Sequence, residues 1–497
     1  MLFSGGGATI RPAMFASRKI IALTVLAMLA LSLRLGVVAA LWSNHAAPVS
    51  YEHGRIAQNL LNGEGFSIEF LGAPSRPTSQ QAPFYPFFLA GVFAFFGVES
   101  AGAILVVQLI QCLAGTALVL AVAWLAWSLL PESPATGWLA GIGAAVYPTH
   151  LYMVTHLQVA LWAALALTLL LGVVASPRFR GTWRGAILAG VLAGLLLLIE
   201  PILALALPLC AVAFLINDIG DARRRLYRPN ASPHWPGALA RAAAMALVAA
   251  IIITPWVARN WRVHGQFVFV KSTFGYAFWQ GNNPSSWGTD KIPKAGVETL
   301  RLAHDGTLAG MNRALWEARH ETVYIDDVLL RPNGYRELAG LSEVERCRVL
   351  GRKAAQFVRE NPQRYGRLCL NRLRYFLLFD ETNPKAANRL YRLATVAWLV
   401  PAFVGFLVTL RHWRRLWPTY AVFAVVTLFH VLVITSVRFR IPIEPLSFVW
   451  AAGALAPLAY HFVPQPRLRI YRPGERRDDG PSDRHTLQGP HWKRRAA

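Results

Sequence analysis

Residues 48–96 read PVSYEHGRIAQNLLNGEGFSIEFLGAPSRPTSQQAPFYPFFLAGVFAFF, and whether the apolar end of this stretch crosses a membrane decides the fold. Polar, helix-compatible sequence comes first, then a Gly/Pro-broken loop, then the apolar run Phe84–Phe96. Spanning the hydrocarbon core takes about 20 apolar residues in a helix, so this shorter run has the length of a re-entrant or interfacial piece.

The surrounding composition is that of an integral membrane protein. Of 497 residues, 55% are hydrophobic and 15% charged, with a mean hydropathy of +0.37. A soluble surface of this size needs more charge. Arg11, Arg18 and Lys19 precede an apolar segment from Ile20 to Leu41. It is longer than a signal-peptide core and many spans follow, so it reads as an uncleaved first helix with the N-terminus in the cytoplasm. Further spans are readable at 101–130, 136–147, 151–175, 185–199, 201–216, 239–257, 390–410, 417–436 and 442–462. Basic loops lie at Arg178–Arg184, Arg223–Arg241 and Arg411–Arg415, with a basic tail over Arg467–Arg495. If Phe84–Phe96 crossed, Arg178, Arg180 and Arg184 would be stranded outside; if it does not, every basic loop is inside. The reading is therefore an all-α polytopic membrane protein of about ten spans, both termini cytoplasmic.

The same parity sends five pieces to the outer face: 42–99, the turn Tyr147-Pro148-Thr149-His150, Glu200-Pro201, a long loop over 258–388, and Ser436–Glu444. The division is a membrane module over 1–257 carrying the first outer loop, a mostly helical loop subdomain over 258–388, closing helices over 389–463, and a disordered basic tail over 464–497. In the long loop, Ser342–Arg359 and Pro362–Phe379 read as amphipathic helices, with turns at Asn282-Asn283-Pro284-Ser285 and Pro332-Asn333-Gly334. No internal repeat is visible.

Net charge is +24. Positive-inside topology and attraction to anionic membrane lipids account for it, and the scatter of Arg and Lys over short loops argues against nucleic-acid binding. Cys112, Cys210, Cys347 and Cys369 form no CxxC pair and suggest neither a disulfide framework nor a zinc site. Phosphate-loop, dinucleotide, HExxH and GxSxG signatures are missing, which removes the usual equipment for ATP hydrolysis, zinc proteolysis and acyl transfer. Asp326-Asp327 is a lone acidic pair.

Three outer-face sets carry candidate chemistry. Ser50 can cap a short helix with Glu52 in its first turn, and Glu52, Arg55 and Asn59 fall near one face; a surface amphipathic helix with an Arg55–Glu52 ion pair is the competing reading. In Thr254–Arg262, Arg259, Asn260 and Arg262 lie among Trp256 and Trp261, with Lys271 close behind. Guanidinium suits bidentate phosphate contact, and an aromatic belt with snorkelling arginines is the alternative. In Arg438–Pro445, Arg438, Arg440 and Glu444 crowd a short outer connection, as an anion site or as interfacial anchors. Glu200 ends an apolar run at the outer face, and His150 and His156 flank another span.

At these residues the chain resembles the GT-C membrane glycosyltransferases, specifically the bacterial branch of family 39, the protein-mannosyltransferase-like enzymes. Tyr51–Leu61 followed by Gly63-Glu64-Gly65-Phe66-Ser67 is similar to that family's first outer loop, and Ala82-Pro83-Phe84-Tyr85-Pro86 to its Pro-Pro-x-Tyr-Pro segment. Pro255-Trp256 with Arg259-Asn260, and Arg438–Pro445, match in order and topology. The chain departs from relatives in carrying Val49-Ser50 where many have an Asp-Glu pair, Ala82 for the first proline, and Glu200-Pro201 for Arg-Pro. The resemblance implies a GT-C fold and a polyprenyl-phosphate sugar donor. It also implies a lipid, glycan or protein acceptor and inversion at the anomeric carbon on the outer face. By that analogy Glu52 is the general base, and Arg259, Arg262, Lys271, Arg438 and Arg440 meet the donor phosphate. Arg55, Asn59, Tyr85, Asn260, Glu200 and Glu444 line the groove. No cofactor is required by the pattern; a divalent metal ion stays open, with no metal ligands singled out. A transporter or flippase of lipid-linked sugars, or a non-catalytic envelope-assembly protein, is the alternative.

Overall fold

The computed structural model describes residues 10–45, 50–225, 235–293, 306–320 and 322–459. The tail 464–497 and part of the basic loop Arg223–Arg241 lie outside the described residues. The first helix, α1 (Ile10–His45), is followed by α2 (Tyr51–Leu61), a hairpin of β1 (Ser67–Phe70) and β2 (Ala73–Pro77), and α3 (Phe84–Phe96). Then come α4 (Ala101–Leu129), α5 (Pro134–Val146), α6 (Pro148–Met153), α7 (Ala160–Ala175), α8 (Trp183–Ile199), α9 (Leu207–Arg225) and α10 (Trp235–His264). The long loop holds α11 (Phe274–Gly281), β3 (Lys291–Ile292), α12 (Leu308–His320), β4 (Val323–Tyr324), α13 (Ile325–Leu329), α14 (Glu343–Glu360) and α15 (Pro362–Leu377). The last described helices are α16 (Arg389–Thr409), α17 (Trp413–Leu432) and α18 (Glu444–Ala459). Contacts divide the chain into a unit Met1–Pro457 and a tail Leu458–Ala497.

The protein is an all-α polytopic membrane protein, and each expected span coincides with a helix or helix pair. Among the described residues, five runs are long and apolar enough to cross by length and composition: Ile20–Trp42, Ala101–Leu129, Pro201–Ile219, Trp235–His264 and Arg389–Leu432. The last of these is α16 and α17, joined by a single turn at Leu410–His412. α3, α7 and α8 are shorter apolar helices. At about 1.5 Å per residue, the 13 residues of α3 reach only about 20 Å, less than a bilayer core. Small residues set the closest helix approach. A Cβ at Gly190 of α8 would lie 2.6 Å from the Met245 carbonyl oxygen of α10, and one at Gly194 would lie 2.8 Å from Ile252.

Two expectations are corrected. The span read over 151–175 is not continuous: the chain leaves helix at Val154 and resumes at Ala160. Non-helical backbone amid apolar helices survives only if its polar groups find partners. Two α4 side chains supply them. Gln108 donates to Thr155 O at 3.0 Å, and Gln111 donates to Val154 O and His156 O, both at 2.9 Å. The helix of the span read over 239–257 does not end at Val257 either; α10 runs through Pro255 to His264. Thr254 donates its hydroxyl to Ala250 O at 2.7 Å in the same turn.

The long loop is mostly helical where described, and its longest helix begins where the sequence says. Ser342 accepts from Glu345 N while the Glu345 carboxylate takes the Ser342 N–H, a capping box that starts α14. Among the described residues, both strand pairs are minimal and antiparallel, Ser67 facing Pro77 in the β1–β2 hairpin and Lys291 facing Tyr324 across the longer β3–β4 connection. One apolar cluster packs the two loop regions together: Ile56, Phe66, Ile68 and Phe70 meet Trp256, Val270, Trp279, Ile325 and Leu350. The loop therefore docks on residues 50–82 rather than standing apart, which brings side chains more than 200 positions distant into one site.

Candidate active site

The site is built on α2. Ser50 sits at its N-cap position but makes no capping bond; its hydroxyl donates instead to Glu99, so the expected cap is replaced by a tie to the turn before α4. Gly54 makes this possible, since a Cβ there would fall 1.7 Å from Ser50 Oγ. α2 buries Gly54, Ile56, Ala57 and Asn59. Asn59 therefore turns inward, donating to Ser67 O at 2.9 Å and to the Ser67 and Ser75 hydroxyls, and so moors the helix to the hairpin. Glu52 and Arg55 are left exposed. Among the described residues neither side chain has a hydrogen bond or an ion pair, so the Arg55–Glu52 pair is not formed.

His53, between Glu52 and the buried face, is the residue that sequence reasoning passed over. Its ring stands edge-on to Tyr85 at 5.2 Å, and its Nδ1 is buried without a hydrogen-bond partner. Burial, with the positive charges of Lys271 and Arg438, depresses its pKa to about 3, so the imidazole is neutral at physiological pH. Tyr85 donates to Gln111 at 2.9 Å, which connects this corner to the glutamines that hold the 154–159 break.

Lys271 is placed by the backbone before it. Trp256 Nε1 donates to Val270 O at 3.1 Å, and Asn260 Nδ2 donates to the same oxygen at 3.2 Å. Asn260 is fully buried and Arg259 is engaged nearby, with Nη1 on Thr78 O at 2.5 Å, Nη2 on Phe66 O at 2.9 Å, and its guanidinium over the Phe66 and Trp256 rings. Both side chains tie the end of α10 to the two flanks of the β1–β2 hairpin. Arg262 is exposed, and Glu200 is the half-buried C-cap of α8.

The third wall comes from the short connection before α18. Arg438 is exposed on a single helical turn, its guanidinium 5.2 Å from the Phe439 ring. Arg440, two residues on, is fully buried: Nε meets Glu444 Oε1 at 2.7 Å, and Nη1 donates to Phe376 O and Leu377 O, both at 2.8 Å, at the end of α15. Glu444 also takes His150 Nε2 at 3.1 Å and the Tyr147 hydroxyl at 3.3 Å. These two charges answer each other.

A fourth group is acidic. Burial pushes the Asp290 carboxyl up, but Lys291 and Arg438 outweigh it and hold it below the ordinary range. Burial raises Asp326 despite bonds from Tyr276, and from Gln280 at 3.1 Å. The Tyr276 hydroxyl is raised by burial and by the negative field of Asp326, Asp290 and Glu52. Of the expected site residues, then, Lys271 and Arg438 act on His53, and Glu52 acts on Tyr276. Arg440 with Glu444, Arg259 with Asn260, and Asn59 have other partners. Among the described residues no group of three His, Cys, Asp or Glu side chains is placed to hold a metal ion.

No family model matches the chain, and no curated protein matches it. Among solved structures it is similar to ArnT from Cupriavidus metallidurans in the apo state, at 16% identity over 86% of this chain and 76% of that one, with a TM-score of 0.35. It is also similar to the same protein bound to undecaprenyl phosphate, at 14% identity over 90% of this chain and 78% of that one, with a TM-score of 0.34.

Proposed function

We propose that the protein is an inverting membrane glycosyltransferase of GT-C type that moves a sugar from a polyprenyl-phosphate donor to a lipid, glycan or protein acceptor at the outer face of the membrane. The observation that carries this reading is the unpaired Glu52 carboxylate one residue from His53, which lies in the positive field of Lys271 and Arg438. The ordered motifs of the first outer loop agree with it.

The chemistry asks for little else. The acceptor oxygen or nitrogen attacks the anomeric carbon as its proton passes to the Glu52 carboxylate. The bond from that carbon to the phosphate oxygen breaks, and its electron pair leaves with the polyprenyl phosphate. Lys271 and Arg438 stabilise the charge that grows there, in a site where fixed cations act more strongly than in water. His53, uncharged, adds no third cation to compete for Glu52. Arg440, closed into its own ion pair, supports the connection that presents Arg438.

The test is sugar transfer from a panel of radiolabelled polyprenyl-phosphate sugars to native membrane extract, comparing wild type with Glu52→Gln. Positioned base catalysis is worth about 10²–10⁴-fold, and the variant should lose that much while keeping its melting temperature. Undiminished transfer by the variant moves the base elsewhere. Absence of transfer by the wild type from every donor removes the enzyme reading.

A further inference from the structure

We infer that Glu343 is a positioning residue whose carboxylate fixes the Lys271-Ser272 segment against residues 78–79; its role in donor binding rests on the glycosyltransferase reading. Glu343 opens α14, where the helix dipole favours an anion. Its carboxylate gathers three donors from two segments remote in sequence. Thr78 Oγ1 donates to Oε2 at 2.5 Å, Ser79 N to Oε1 at 2.9 Å, and Ser272 Oγ to Oε1 at 2.5 Å. Ser272 also donates its amide to Ser79 O at 2.9 Å, so two bonds hold the residue that directly follows Lys271.

The clasp closes on α10 as well. Ser79 Oγ donates to Asn260 Oδ1 at 2.7 Å and meets His264 Nε2 at 2.8 Å, while Arg259 takes Thr78 O. Thr78 and Ser79 are fully buried, so their polar groups have no water to fall back on. Of these partners only Glu343 belongs to the long loop's helices, and only it bonds both the 78–79 segment and Ser272. Removing it frees residues 271–272 from residues 78–79 on the side-chain side and leaves a buried amide unpaired. Lys271 then keeps its charge and loses its address.

The test uses the full chain in detergent micelles, with Glu343→Ala, Glu343→Gln and Ser272→Ala. Ser272→Ala removes one bond and leaves the α14 cap intact, so it reports even where Glu343→Ala folds poorly. Hydrogen exchange at the Ser79 and Ser272 amides should quicken about tenfold in Glu343→Ala, less in Ser272→Ala and least in Glu343→Gln, with α4 exchange unchanged. Binding of a polyprenyl monophosphate should weaken about tenfold in Glu343→Ala and recover in Glu343→Gln, and adding Lys271→Ala to Glu343→Ala should weaken it no further. Unchanged exchange at both amides overturns the inference, and so does full additivity of Lys271→Ala with Glu343→Ala. If the wild type does not bind polyprenyl monophosphate, the glycosyltransferase reading fails, and the exchange at Ser272 alone decides whether Glu343 holds the clasp.

Discussion

Arg438 and Arg440 stand two residues apart in one short connection and live in opposite physical worlds. Arg440 is sealed: its guanidinium pairs with Glu444, caps the carbonyls that end α15, and lies 4.4 Å from the Trp398 ring, with Nη2 alone lacking a partner. Arg438 is exposed, backed by one aromatic ring and by no ion pair among the described residues. The difference teaches that charge beside apolar helices is not itself a functional signal. A buried guanidinium must be answered by protein, because desolvating it unpaired is costly. An exposed one that protein leaves unanswered is free to meet a ligand. The α2 region repeats the contrast, with Asn59 consumed by the hairpin and Glu52 unpaired.

The contrast breaks most sharply at the sealed pair. Glu444→Gln or Arg440→Met leaves one buried charge uncompensated, and each should cost about 3–5 kcal/mol of stability. That is visible as a large fall in the melting temperature of the purified protein. Arg440→Met combined with Glu444→Leu removes both charges and should recover much of the loss. Single variants that melt like wild type would mean that the pair does not hold this end of the fold, and the division between sealed and open charge would fail.

Much of this was legible beforehand, and the failures have physical causes. Apolar runs announced the membrane helices, and the amphipathic pattern from Ser342 to Arg359 announced α14, because both signals are local. The break at 154–159 was not, because what stabilises it is Gln108 and Gln111 on a different helix. Ser50 looked like a cap and found Glu99 instead. In the candidate site, Glu52, Lys271 and Arg438 could be chosen from the sequence, but not separated from Arg440, Arg259 and Asn59, since burial is set by the fold. Asp290, Tyr276 and His53 were missed for the same reason: nothing in their local sequence marks them, and only the docked loop brings them together.

A second, smaller effect concerns His53. Its folded-state pKa of about 3 lies below the ordinary 6.5, so between these values the unfolded chain binds a proton that the native state refuses. The stabilising contribution is therefore complete above pH 6.5 and is lost as pH falls toward 3. At pH 5 the loss should be about 2 kcal/mol. Melting curves at pH 7.5 and pH 5 should separate more for wild type than for His53→Phe. Equal separation would show that burial and the charges of Lys271 and Arg438 do not hold His53 neutral.

The smallest effect sharpens the comparison from its open side. Arg438→Ala removes a charge that no protein partner requires, so its stability should stay within about 0.5 kcal/mol of wild type, as for substitutions at exposed positions. If Arg438 meets the donor phosphate in both the bound and the transition state, the loss falls on binding: the donor KM rises about tenfold with kcat nearly unchanged. If it meets only the departing phosphate, kcat falls instead, and Arg438 belongs to the chemical step rather than to capture. The two outcomes also differ in salt response. Capture by an exposed cation is screened over a Debye length of about 8 Å at physiological ionic strength, so the wild-type advantage in KM should shrink as salt is raised. A variant that matches wild type in KM, kcat and melting temperature alike would leave Arg438 an interfacial anchor, and the exposed arginine would then be as structural as the buried one, for a different reason.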